Sequence, residues 1–191
     1  MIASAWWRGR SLGAAGVALA ATLLTVPALA NNNYGAAAQD VAAVKAAFLY
    51  NFAKFTEWPA LPPGVPIVFC VVGDDGIAAA LAQTVRGQNV NEHPLDVSRP
   101  QDSATWRMCQ FLFIAEAEAR RSAGELSRIK ALPVLTVSDG KGFIEAGGII
   151  ELYVESGRMR FAINAKAAEL TGLHLSSRLL GLATIKSTGN E

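Results

Sequence analysis

Apolar residues change their spacing several times along this chain, and each change marks an element. Val44, Phe48, Phe52 and Phe55 recur three and four positions apart, which places them on one stripe of an amphipathic helix. The helix is predicted over residues 40–57, with Asp40 as its N-cap and Pro59 barring continuation past Trp58. Phe48, Tyr50, Phe52, Phe55 and Trp58 interleave there with Lys45, Asn51, Lys54 and Glu57. The plain account of such a block is a core helix with a solvated face.

Beyond Pro59 the helical period gives way to continuous apolar runs. Residues 66–73, 109–115 and 133–138 are each bounded by turn residues and fit strands buried on both faces, as in a parallel sheet. A weaker strand is expected around 95–98. Residues 77–85 read as a short helix, and 116–130 as a charged one whose Arg120, Arg121, Glu125, Arg128 and Lys130 face solvent. Two short apolar segments, 149–154 and 159–163, flank the turn Ser156-Gly157-Arg158 and read as an antiparallel hairpin. Asn164 caps a helix running through Leu170, and Ser176 starts a last one through Ala183. The alternation predicts an α/β fold: a single domain with a central, mostly parallel sheet, an antiparallel C-terminal hairpin as its edge, and helices on both faces.

Length agrees, since 191 residues suit one domain with a sizeable core. The hydrophobic share of 51% overstates that core, because residues 1–30 are almost wholly apolar. Arg8 and Arg10 precede an apolar run over 11–27, and Ala28-Leu29-Ala30 follows with small residues at the cleavage positions. These are the three parts of a secretory signal peptide, cleaved after Ala30. An uncleaved anchor is the alternative, the run being not far short of a spanning length; Pro27 and the Ala-x-Ala ending favour cleavage. The expected organisation is a signal peptide over 1–30, a flexible lead-in over 31–39, the α/β domain over 40–185 and a polar tail over 186–191. Losing Arg8 and Arg10 from the 17 basic residues leaves 15 against 16 acidic ones, near −1. Such a balance gives no electrostatic grip on nucleic acid or an anionic membrane.

Two cysteines, Cys70 inside the first strand and Cys109 at the start of another, favour a structural disulfide in an exported protein. If the two strands are neighbours the sulfurs come within range, and closing a loop of about 40 residues stabilises by about 4 kcal/mol in the entropy model. Two separately buried thiols are the alternative, and a Cys-x-x-Cys redox pair is absent. Asp74-Asp75 after a strand, with Lys141, has the look of a phosphate-accepting acidic pocket, but an exported protein meets no ATP, and a solvated turn opening a helix explains them better. His93 and His174 are far apart, without companions at metal-ligand spacing. No serine stands in a Gly-x-Ser-x-Gly elbow, and Gly73-x-x-Gly76 and Gly140-x-Gly142 are too short for nucleotide loops. Neither catalysis nor a cofactor nor a metal is therefore expected.

The block from Lys45 to Pro59, with Asn51, Phe52, Lys54, Phe55, Trp58 and Pro59 at its heart, resembles the signature of the YfiR family of periplasmic proteins. Later segments agree in order: 67–73, 109–114, 135–139, 146–148, 160–164 and 172–180. The resemblance spans residues 40–183. It implies a periplasmic repressor that binds the sensor part of a membrane diguanylate cyclase (YfiN-like), with a YfiB-like outer-membrane lipoprotein that sequesters the repressor and releases cyclic-di-GMP synthesis. It also implies that Cys70 and Cys109 match one of the family's disulfides; a second family bridge near the hairpin has no cysteines between 143 and 154. Family members form homodimers, and an exposed apolar helix fits that, yet no symmetric interface is legible in the sequence.

Two functions follow as expectations. As a repressor the chain would offer an apolar face, with Leu173, Leu175, Leu179 and Leu180 as candidates and a core role as their alternative. As a small-ligand receptor feeding a membrane histidine kinase or cyclase, it would hold a pocket at the carboxyl ends of the strands, with Trp58 and Trp106 as an aromatic wall.

Overall fold

The structure, a computed structural model, describes residues 33–186. The leader over 1–30 and residues 187–191 of the tail lie outside the described residues.

The first helix, α1, runs Asn33–Lys54. It starts seven residues before Asp40, so residues 33–39 continue the helix and Asp40 lies inside it. It also stops sooner than expected: Thr56–Glu57 form a two-residue strand, β1. The stripe that α1 buries is Ala42, Ala46, Leu49 and Ala53, joined by Phe52, while Val44 is 46% exposed and Phe48 half-buried. Small alanines win that position because they let the helix backbone lie close against its neighbour. A Cβ placed on Gly76, at the start of the next helix, would sit 4.0 Å from that of Ala42.

There follow β2 (Ile67–Val72), α2 (Asp75–Val85), β3 (Asn89–Val90), β4 (His93–Ser98), a 3-10 turn over Ser103–Met108 and β5 (Phe111–Ile114). The charged stretch after β5 is two short helices, α3 (Glu116–Ala119) and α4 (Ala123–Ile129), rather than one. Next come β6 (Leu135–Ser138), β7 (Ile150–Glu155), β8 (Arg158–Asn164), α5 (Ala165–Leu170), β9 (His174–Leu175), α6 (Ser177–Leu182) and β10 (Thr184–Lys186). Asn164 and Ser176 cap α5 and α6 through side-chain oxygens that accept from Ala167 and Leu179.

Eight strands form one sheet in the order β10-β8-β7-β6-β5-β2-β4-β3. The five from β4 to β7 are parallel, in the doubly-wound order whose switch point lies beside β2. The hairpin β7–β8 is antiparallel but is not the edge, because β10 adds a parallel strand outside β8, and Lys186 ends that strand rather than opening a tail. At the hairpin's approach, Gly148 lets Phe143 in: a Cβ there would stand 2.1 Å from the phenyl ring.

Alternate residues of the central strands feed two cores. Ile67, Phe69, Val71, Phe111, Phe113, Leu135 and Val137 meet α1, α2, α5 and α6. On the opposite face, Cys70, Leu112 and Ile114 meet Trp106, Leu126, Ile129 and Phe143.

Candidate functional site

The sequence block 45–59 does not make one pocket; it spans both ends of the sheet. At the carboxyl end, Lys45 of α1 reaches Asp139, the residue after β6, in an ion pair only 17% and 15% exposed. The other carboxylate oxygen of Asp139 accepts from the Glu116 backbone N–H at 2.7 Å. One aspartate thus ties α1, β6 and the start of α3 together. Asp74 caps α2 by accepting from the Ile77 N–H, and Asp75 pairs with Arg99 on the surface. Lys141 is exposed and joins neither; the lysine that meets an aspartate here is Lys45.

The crevice that an open sheet offers at its switch point is filled. A Cβ on Gly73, whose φ is +85°, would lie 2.5 Å from the Glu118 side chain and 3.3 Å from Ala115. What remains open is a shallow depression of about 480 Å³ beside it, walled by Gly73, Asp75, Arg99, Gln101 and Glu118. A larger groove of about 930 Å³ runs between the N-terminal half of α1 and α2, past Val41, Lys45, Asp74 and Gln83.

At the amino end the rest of the block builds a platform. β1 pairs antiparallel with β9, Thr56 against Leu175 and Glu57 against His174. The Phe55 carbonyl accepts from the Ser176 N–H at 2.9 Å. Arg178 lies over the Phe55 ring at 5.8 Å, and Lys54 over Tyr50 at 5.4 Å. The indole N–H of buried Trp58 donates to the Gln110 carbonyl at 3.0 Å, and the Gln110 side chain accepts from the Val68 N–H. Phe52 is buried against Phe48 and Phe161, Pro59 is exposed, and Asn51, Lys54 and Glu57 face solvent. A depression of about 280 Å³ lies between Lys54, Glu57, Asn91 and His174.

Several expectations need correction. Trp58 and Trp106 are both buried, but in the cores on opposite faces of the sheet, so they form no common wall. Leu173 and Leu179 are core residues, and Leu175 and Leu180 pack half-buried on the same core; period-3.6 spacing alone does not tell an inward from an outward stripe. The apolar residues left outside in this region are Leu170, Leu182 and Ile185. Of the block's polar set, Lys45 alone is partly buried. Cys70 and Cys109 form a disulfide with Cα atoms 5.9 Å apart; it ties β2 to the end of the 3-10 turn, Cys109 lying two residues before β5 rather than at its start. His93 donates from Nδ1 to the Val65 carbonyl at 2.8 Å, and no group of His, Cys, Asp and Glu suited to a metal stands among the described residues. Asp139, Gln110 and Arg178 were not singled out from the sequence; Asp139 had a signal, as an acid directly after a buried strand, whereas the other two needed the fold.

The YfiR/HmsC-like family model matches residues 42–184, three quarters of the chain. The chain belongs to the YfiR/HmsC-like family. Its members are regulators rather than enzymes. Among solved structures it is similar to a conserved domain protein of Vibrio cholerae O1 biovar El Tor, at 15% identity and a TM-score of 0.41. That likeness covers 62% of this chain and 54% of the other, about half the length of the Vibrio protein. No curated protein matches the chain. No helix among the described residues is long and apolar enough to cross a membrane.

Proposed function

We propose that this chain is a periplasmic negative regulator. It binds the periplasmic sensor part of a YfiN-like inner-membrane diguanylate cyclase and represses cyclic-di-GMP synthesis, and a YfiB-like outer-membrane lipoprotein relieves the repression. The observation that supports this most is the extent of the family match, which begins inside α1 and ends at β10 and so takes in almost the whole folded domain. The geometry suits a binding role: the platform at the amino end presents Asn51, Lys54, Glu57, His174 and Arg178 to solvent on a frame fixed by Phe55 and Trp58.

Repression needs only that the chain prefer the inactive state of the sensor. Its differential affinity for the two states sets how far the population moves. The exported protein, tagged and added to detergent-solubilised inner membranes, retains a membrane diguanylate cyclase, identified by mass spectrometry. Retention of no such enzyme contradicts the proposal.

A receptor reading keeps one feature in its favour, the depression where Arg99 and Asp75 stand beside the carboxyl ends of β2 and β4. A thermal shift with an amino acid or another small zwitterion, lost in Arg99→Ala, supports it; no shift with any compound dismisses it.

A further inference from the structure

A buried carboxylate stands apart from the clasps described above. Glu151 of β7 is 5% exposed. Its neighbours Ile150 and Leu152 point into the first core, so strand alternation turns Glu151 to the opposite face. Oε2 accepts from the Ile144 N–H at 3.3 Å, and Oε1 lies 3.8 Å from Lys186 Nζ. Lys186 is the last residue of β10 and also meets Glu145, at 3.4 Å. A single lysine thus ties β10 to β7 and to the segment over 139–149 that leads into β7.

Apolar burial contributes little to holding β10, since Thr184 and Ile185 are exposed and Lys186 is half-buried. Its ladder to β8 covers three residues, and Thr184 shares a hydrogen bond with the Tyr153 hydroxyl at 2.9 Å. The ion pairs therefore weigh heavily. Were Lys186 to withdraw, Glu151 would keep a buried charge with the Ile144 N–H alone, the costly half of a broken pair. Opening β10 therefore strains residues 139–149 as well.

The same strand is the far end of a longer element. Residues 176–186 leave the amino-end platform, where the Ser176 N–H donates to the Phe55 carbonyl and Arg178 lies over the Phe55 ring, and run through α6 into β10. Leu179 is the one buried residue of α6. The element is pinned by Phe55 at one end and by Lys186 at the other, with a single core side chain from α6 between them.

We propose that α6 and β10 form a lever, bolted by Lys186 to Glu151 and Glu145, through which residues 139–149 set how firmly the platform is held. With the bolt shut, His174 and Arg178 are fixed in place for a partner; with it open, the platform loosens and its affinity falls. An element biased from both ends couples them reciprocally. The regulatory meaning rests on the repressor reading, whose docking face the platform is, whereas the coupling needs no partner.

Amide exchange of the purified exported protein alone, read by mass spectrometry, tests the lever. Lys186→Met speeds exchange about tenfold or more over both 141–149 and 174–182, while 67–72 keeps its rate. Glu145→Gln removes only the exposed half of the bolt and speeds the same two segments about two- to threefold. Lys186→Met combined with Glu151→Met sets an apolar pair in place of the ions and restores both segments. From the other end, Arg178→Ala speeds exchange over 141–149. Faster exchange confined to 184–186, or a double replacement that exchanges as fast as Lys186→Met alone, would overturn the lever. Should Lys186→Met fail to fold, Glu145→Gln and Arg178→Ala decide: no change over the distant segment in either overturns it. Failure to retain any membrane cyclase would sink the repressor reading and leave the coupled exchange standing.

Discussion

On one face of the sheet, Phe69 and Phe111 pack ring on ring, 4.6 Å between centroids, under two long helices and two short ones. On the other, Leu112 and Ile114 are roofed by a single 3-10 turn, the small α3 and seven-residue α4. The first core gathers many more buried apolar residues than the second. The second holds the disulfide Cys70–Cys109, beside Trp106. Non-covalent burial and chain restraint are thus divided between the faces. α1 and the segment after it are moreover clasped at both ends of the sheet, α1 by Lys45–Asp139 at the carboxyl end and the residues past β1 by Trp58–Gln110 at the amino end.

The largest effect is expected where burial alone carries the load. Phe52→Ala removes a ring packed on Phe48 and Phe161 and lowers the unfolding free energy by about 3–5 kcal/mol, read from urea denaturation. A loss below about 1 kcal/mol would mean that this face repacks freely. Replacing Cys70 and Cys109 together by serine costs about 2–4 kcal/mol, and the loss is unevenly placed. Amide exchange should rise first over 103–115 while α1 and α2 stay protected; uniform acceleration would erase the contrast between the faces. Lys45→Met leaves Asp139 with the Glu116 N–H alone and costs about 1–3 kcal/mol, and a Lys45/Asp139 double-mutant cycle yields a favourable coupling. Smallest is Trp58→Phe, which frees the Gln110 carbonyl of one donor at about 1 kcal/mol. If Trp58→Phe outweighed Lys45→Met, the amino end rather than the carboxyl end would be the tighter clasp.

Much of the contrast was legible in the sequence. Uninterrupted apolar runs such as 67–72 and 111–114 announce strands covered on both sides, and two cysteines behind a sequence with the pattern of a signal peptide favour a bridge. Asn164 and Ser176 announce helix starts by their side-chain chemistry, and both cap as expected. The stripe on α1 was misread, because Val44 and Phe48 outrank alanine in hydrophobicity while Ala42, Ala46 and Ala53 outrank them in closeness of approach. Spacing is blind to that difference. For the same reason the leucines from 173 to 180 could not be sorted into core and surface before the sheet was known. Trp58 and Trp106 looked alike as aromatic residues near strands, and only strand alternation separates them. The ion pair of Lys45 with Asp139, 94 positions apart, is a product of the fold alone.

The proposed repressor acts by binding and restraining a membrane diguanylate cyclase. Its most direct test is cyclic-di-GMP production by inner-membrane vesicles that carry the cyclase, with the purified protein supplied on the periplasmic side. Synthesis is expected to fall as the protein is added and to recover when an outer-membrane lipoprotein partner removes it. Synthesis that stays level, with the protein bound to the vesicles at saturation, would contradict it.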